Sequence, residues 1–205
     1  MTSSASRGPI VVGLGSSAGG TEAVAALLAA LPEDFRAPVV ISQHMPCGTA
    51  GATLGLAGQG HARKIELAQP RVRLRPGSVY LVRDGQDLCF DDRDPWVRLM
   101  PQPFAANAHA LPHPNVDVMF TEMARAFGVR ACAVVLSGMG DDGLRGAAAI
   151  KARGGLVYIQ DRGSSAVWGM PARIAERGLA DLEGSVEQIA THLGDLDRRR
   201  WAVGA

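Results

Sequence analysis

Aromatic side chains are scarce in this sequence: Phe, Trp and Tyr make up 5% of its 205 residues. Single-stranded nucleic acids are gripped by stacking bases on aromatic platforms, so this scarcity argues against that mode of binding. Charge of one sign is lacking too. The 21 Lys and Arg residues nearly cancel the 20 Asp and Glu residues, leaving a net charge of +1. No global electrostatic basis for binding nucleic acid or an anionic membrane follows. Cysteine is limited to Cys47, Cys89 and Cys132, an odd number without CxxC spacing. Neither a disulfide framework nor a zinc ribbon is expected, and a reducing cytoplasm is the simplest compartment. No apolar run approaches the ~18–20 residues of a membrane span. The apolar stretch 10–14, after a polar start, is too short for a secretory signal.

What is present suits one α/β domain. The chain is 47% apolar and long enough to bury a full core without metal or disulfides. Residues 10–14 read as a buried strand, 21–31 as a helix closed by Pro32, and 37–43 as a second buried strand. Strand, helix and strand in so short a stretch make a βαβ unit with parallel strands. The middle alternates in short runs, 78–82, 88–90 and 96–100, with Asp84 and Gly85 as a turn. It reads as an antiparallel excursion, followed by a four-proline loop over 101–114. A helix over 116–127, a strand over 131–136, a helix over 144–153, a strand over 156–159 and helices over 171–177 and 186–193 complete the pattern. The fold class expected is a doubly wound α/β domain with an inserted β-rich segment. Residues 1–9 and 196–205 are expected to be flexible tails around a domain over 10–195.

Ligands of such sheets sit beyond the carboxyl ends of the strands. Three expected strand ends carry unusual residues: GLGSSAGG over 13–20, QHM over 43–45 and GMGDDG over 138–143. The first parses two ways. Gly15 to Gly19 fits G-x-S-x-G, a turn that exposes a serine hydroxyl before a helix. Gly13 to Ala18 fits G-x-G-x-x-A, a dinucleotide loop, but that reading wants an acidic residue where Gln43 and His44 stand. A glycine-rich turn without chemistry is the third reading. His44 is a candidate base for a serine, since a hydroxyl needs one at neutral pH. Asp141 and Asp142 are read as caps of the helix over 144–153 or as an orienting carboxylate for His44; a Mg²⁺ site is a third reading, disfavoured because adjacent acids point apart and no other acidic cluster lies nearby. His109 and His113 have metal-ligand spacing on a helix, but Pro112 and Pro114 break it. Cys47, Ser137, Ser164 and Ser165 are weaker nucleophile candidates, and His61 and His192 read as surface residues.

The combination resembles the catalytic domain of the chemotaxis receptor methylesterases, the CheB family. The carrying stretches are VGLGSSAGGTEA over 12–23, SQHMP over 42–46, LRPGSVYL over 74–81, PNVDVMF over 114–120, LSGMGDDG over 136–143 and GMP over 169–171. The resemblance implies a three-layer doubly wound fold with a mainly parallel sheet and an antiparallel edge hairpin. It implies Ser17 as nucleophile rather than Ser16, His44 as base and Asp142 as the orienting carboxylate. It also implies the backbone N–H groups of Ala18 and Met139 as the oxyanion site. The implied reaction is hydrolysis of γ-glutamyl methyl esters on the cytoplasmic helices of chemoreceptors, and deamidation of receptor glutamines, without metal or organic cofactor. Receptors are then the partners, with no nucleic acid and no membrane insertion.

Three departures from the family pattern stand out. This chain begins at the catalytic strand, so no receiver domain is expected in it. Constitutive activity, a separate regulator and excision from a longer chain are the alternatives. Cys47 stands where a proline is frequent, and Ala18 where a threonine is common. The rival reading, from another class, is a non-catalytic relative that binds receptors or a nucleotide. The basic residues Arg63, Lys64, Arg71, Arg73, Arg75 and Arg83 read first as a solvated face.

Overall fold

Short apolar runs rich in β-branched residues build the strands that carry the site. β1 (Val11–Ser16) and β2 (Val39–Gln43) are buried along their whole length. They pair in parallel from Val12 opposite Val39 to Ser16 opposite Gln43. Parallel partners need a crossover, and α1 (Gly20–Ala30) supplies it. The computed structural model describes residues 8–45, 63–69, 72–83, 86–91, 98–103 and 114–202. After β2 come β3 (Ile65–Leu67), β4 (Val72–Arg73), β5 (Val79–Leu81), β6 (Gln86–Asp91) and β7 (Arg98–Pro103). Then follow α2 (Val116–Phe127), β8 (Ala131–Val135), α3 (Leu144–Ala152), β9 (Leu156–Gln160), α4 (Met170–Glu176), β10 (Leu182–Gly184) and α5 (Val186–Ala202).

Seven strands form one sheet in the order β10-β9-β8-β1-β2-β5-β3, with every pairing parallel. The order reverses at β1, which lies between β2 and β8. That is the topological switch point, where open α/β sheets bind their ligands. One apolar layer joins Val12 and Leu14 to Leu27 and Leu28 of α1 and Ile189 and Leu193 of α5. The other joins Val11 and Val40 to Phe120 of α2, Ile150 of α3 and Ile174 of α4. These are the three layers expected. Each fully buried aliphatic or Phe side chain contributes about 1.5–3 kcal/mol relative to its exposure.

Two glycines in β1 bring α2 unusually close. A Cβ at Gly13 would lie 2.4 Å from Met123 Sδ, and one at Gly15 would lie 2.3 Å from Val116 Cγ1. Their described role is therefore close helix–strand packing. It brings the first residues of α2 up to the end of β1.

Several expectations need correction. The 78–82 run is not part of the antiparallel excursion. Its core, β5, pairs in parallel with β2, because Val79, Tyr80 and Leu81 are all buried and fit a strand covered on both faces. The antiparallel hairpin exists as β6 and β7, but with β4 it forms a separate three-stranded sheet and not an edge of the main one. Phe90 of β6 packs edge-on against Phe127, with ring centroids 5.0 Å apart, which holds this small sheet on α2. The expected loop over 101–114 begins later, since Pro101 to Pro103 belong to β7. The expected C-terminal tail is helical through Ala202. Leu196 and Asp197 are buried there, and the Arg36 guanidinium lies 3.8 Å over the Trp201 ring, so packing extends the helix. Arg63 is half-buried and donates to the carbonyls of Phe35 and Pro32, so it leaves the solvated face. Cys47, His61, Arg71, Asp84, Gly85, Trp96, His109, His113 and the 48–60 stretch lie outside the described residues.

Candidate active site

The carboxyl ends of the three adjacent strands β8, β1 and β2 converge. β1 ends in Ser16, which is fully buried, and the chain turns through Ser17, which is half-buried, to the exposed Ala18. Ser17 is fixed at both ends of its backbone. Its N–H donates to Ser137 O at 3.0 Å, and its carbonyl accepts from Gly20 N at 2.9 Å and from Gln43 Nε2 at 2.9 Å. The Ser137 hydroxyl donates to Ala18 O at 2.7 Å and accepts from Val167 N at 2.9 Å. Gln160, at the end of β9, accepts from Ser137 N at 2.8 Å. A buried polar framework thus supports the serine turn, with its polar groups paired as burial demands.

His44 follows β2, and its N–H donates to Ser16 O at 3.0 Å. Its ring Nε2 meets Asp142 Oδ2 at 2.7 Å across a separation of 98 residues. With Nε2–H donated to the carboxylate, Nδ1 carries the lone pair and is the ring nitrogen left to accept a proton. This reverses the ring assignment of the familiar serine-protease triad, where the carboxylate holds Nδ1–H.

Asp142 is held from a second direction. Its carboxylate accepts the N–H groups of Val116 and Asp117, both at 2.8 Å. These are free donors of the first turn of α2, and a carboxylate there also meets the positive end of the helix dipole. The cap reading for Asp142 is therefore corrected: the carboxylate caps α2 and not its own helix α3, whose N-cap is Gly143. Burial pushes the Asp142 carboxyl up. The hydrogen bonds from His44, Val116 and Asp117 outweigh that and hold it below the ordinary carboxylate range. Asp141 is exposed and makes no side-chain contact of this kind among the described residues.

A cavity of about 340 Å³ opens at this point, lined by His44, Asp142, Met139, Asp141, Asn115 and Arg145 among others. Met139 projects into solvent with 75% of its surface exposed. Gly138 packs directly on the serine turn, since a Cβ there would sit 3.0 Å from Ser17 Cβ and 2.3 Å from Met170 Sδ. The N–H groups of Ala18 and Met139 donate to no protein acceptor among the described residues.

The structure brings Ser17, His44, Asp142, Ala18 and Met139 to one sheet edge. Among the described residues, it does not bring the weaker nucleophile candidates Ser137, Ser164 and Ser165 into play. The Ser137 hydroxyl is committed to backbone partners. Ser164 and Ser165 lie beside Asp161 and Gln160. His192 is exposed on α5 and bonds Gln188 O. No group of metal-ligating side chains and no helix long and apolar enough to cross a membrane occurs among the described residues. In the sequence, Gln43 and Asp117 carry no assigned role, and Ser137 stands only as a weaker nucleophile candidate. For Gln43 and Ser137 the available signal is a polar residue inside or just after a run of buried strand residues; for Asp117 it is an acid in the first turn of a helix.

Fold and site together define an α/β protein with a histidine–carboxylate pair beside a serine turn at the switch point of a parallel sheet. The chain belongs to the CheB methylesterase family, whose model matches residues 12–193. It is 39% identical over 189 residues to a Myxococcus xanthus protein named protein-glutamate methylesterase/protein-glutamine glutaminase 5, covering 89% of this chain and 53% of that protein. It is 40% identical over 182 residues to the Moorella thermoacetica protein of the same activity name, covering 88% of this chain and 42% of that one. The chain thus spans about half the length of the curated relatives it matches. The crystal structure of the Thermotoga maritima CheB methylesterase catalytic domain superposes with a TM-score of 0.86 at 29% identity, covering 92% of this chain and 98% of that one.

Proposed function

We propose that this chain hydrolyses γ-glutamyl methyl esters on the cytoplasmic helices of chemoreceptors, and deamidates receptor glutamines, through an acyl-enzyme. The observation that carries the reading is the 2.7 Å His44–Asp142 pair, joined at the switch point by the half-buried Ser17 while Ser16 is fully buried. Family membership and the names of the relatives support the substrate class. Ser17 Oγ attacks the ester carbonyl carbon as its proton passes to His44 Nδ1. Asp142 holds the Nε2–H tautomer and stabilises the imidazolium. The N–H groups of Ala18 and Met139 receive the negative oxygen of the tetrahedral intermediate. The intermediate collapses, the C–OCH₃ bond breaks and His44 returns the proton, releasing methanol. Water then attacks the Ser17 ester with His44 again as base, which frees the glutamate carboxylate and restores the serine. An amide follows the same course, with ammonia leaving in place of methanol. Cytoplasmic location follows from this substrate.

The test is methanol release from methylated chemoreceptor fragments by the wild type and by Ser17→Ala. Release by the wild type alone supports the reading. Equal release by both removes Ser17 as nucleophile, and no release by either, with no labelling of Ser17 by a serine-reactive fluorophosphonate, removes the esterase.

A further inference from the structure

Gln43 is the last residue of β2 and is only 3% exposed. Every face of its amide is used. Oε1 accepts from the buried Ser16 hydroxyl. Nε2 donates to Ser17 O and to His44 O, both at 2.9 Å. The amide can stand only this way round, because the flipped orientation would set Oε1 against two carbonyl oxygens. One side chain therefore grips the peptide groups that follow both the serine and the histidine.

We propose that Gln43 is a positioning residue that sets the serine and the histidine against each other. The proposal rests on the roles assigned to Ser17 and His44 above. Backbone bonds already fix the amide side of each residue: Ser17 N reaches Ser137 O and His44 N reaches Ser16 O. On the carbonyl side, Ser17 O also accepts from Gly20 N within its own turn, but that bond does not tie the serine turn to the end of β2. Among the described residues, Gln43 Nε2 is the donor that His44 O receives, and it is shared with Ser17 O. Without this link the serine turn and the end of β2 could shift against each other and carry Ser17 Oγ away from His44 Nδ1, and a displacement of about 1 Å costs on the order of 10²-fold in rate. The Ser16 hydroxyl keeps the amide from turning over. Gly20 leaves the space for this pair, since a Cβ there would lie 2.6 Å from both Gln43 Oε1 and Ser16 Cβ. The arrangement also explains why an amide closes this buried strand at a position where leaving it unpaired would be costly.

The test compares wild type, Gln43→Met and Ser16→Ala. The methionine keeps the length of the side chain and removes its hydrogen bonds. Ser16→Ala removes only the group that orients the amide, and it keeps the proposal testable if Gln43→Met fails to fold. kcat and KM are measured on methylated receptor fragments. The rate of Ser17 labelling by a fluorophosphonate is followed across pH, at a temperature where melting shows each variant folded. The expected result for Gln43→Met is a kcat lower by roughly 10²-fold, KM within about threefold, and labelling slowed in parallel at every pH. Ser16→Ala should fall by roughly tenfold in the same readouts. Folded variants with kcat within twofold of wild type overturn the proposal, as does a loss carried entirely by KM. A wild type that neither releases methanol nor labels at Ser17 overturns the underlying reading and the proposal with it. An active wild type with a dead Ser17→Ala variant leaves the reading in place, so that only the Gln43 and Ser16 results decide.

Discussion

Asp142 and Asp117 cap each other's helices. The Asp142 carboxylate, just before α3, accepts the first N–H groups of α2, one of them from Asp117 itself. The Asp117 carboxylate, in the first turn of α2, accepts Gly146 N of α3 at 2.8 Å and pairs with Arg145 Nε at 2.8 Å. Each helix start is thus satisfied by an acid from its neighbour, the stabilising sign for an N-terminus. The same exchange aims Asp142 at His44.

Asp142 is therefore expected to serve stability and rate together. Asp142→Ala should lower unfolding free energy by about 1–2 kcal/mol, the range for losing a helix cap, and should abolish most turnover. Asp142→Asn should retain more of the fold while cutting kcat by roughly 10⁴-fold, as loss of the orienting carboxylate does in a serine protease. Urea unfolding beside methanol release checks both. Asp117→Ala should show the stability loss with a smaller loss of rate.

Acid should erase the Asp142 contribution to stability. The carboxyl is held below its ordinary range by His44 and the α2 amides despite burial. A depressed folded-state pKa adds stability that is complete above the unfolded value, about 4, and is lost as pH falls through the folded value. The stability gap between wild type and Asp142→Asn should shrink as pH drops from 5 to 3. A gap that stays constant over that range would show that the carboxylate is not held as described.

Ser17→Ala separates chemistry from folding. The Ser17 hydroxyl has no partner among the described side-chain hydrogen bonds, whereas its backbone has three. Its removal should leave melting within about 0.5 kcal/mol of wild type. Turnover should fall by several orders of magnitude, up to roughly 10⁶-fold. Thermal melting with single-turnover kinetics measures both.

Gly138→Ala tests how tightly the serine turn is seated. The added Cβ would meet Met170 Sδ at 2.3 Å and Ser17 Cβ at 3.0 Å. Met170 can shift, but the serine turn is tied to Ser137 on the same strand end. Overpacking of this kind costs about 1–3 kcal/mol. kcat should fall with KM little changed, and a variant with wild-type kcat would argue against a rigidly seated turn.

Much of the outline is legible in the chain itself. Parallel strands buried on both faces read as continuous apolar runs, so β1, β2, β8 and β9 stand out. Their ends, marked by Ser17, His44 and GMGDDG, point to one sheet edge. The short strands β3, β4 and β10 do not stand out, since two or three residues carry no period. The run that forms β5 reads equally well into either sheet, because an apolar run of that length does not say whether its partners run parallel or antiparallel. The helical end of the chain reads as a tail in the sequence because Arg198, Arg199 and Arg200 mask a buried face that runs on from Val186 through Leu196 and Asp197.

Residue order alone determined which side chains lie at strand ends, and that a serine, a histidine and an aspartate stand among them. That follows from hydrophobic burial, which sorts apolar runs into a sheet and leaves polar residues at its rim. Only the tertiary structure decided that Nε2 of His44 meets Asp142 across 98 residues, that Asp142 caps α2 instead of α3, and that Gln43 holds two backbones at once. These are distance-dependent polar contacts. Their partners are chosen by how α2 settles against Gly13 and Gly15 and by which strands flank β1, and neither is written in the local sequence of any one segment.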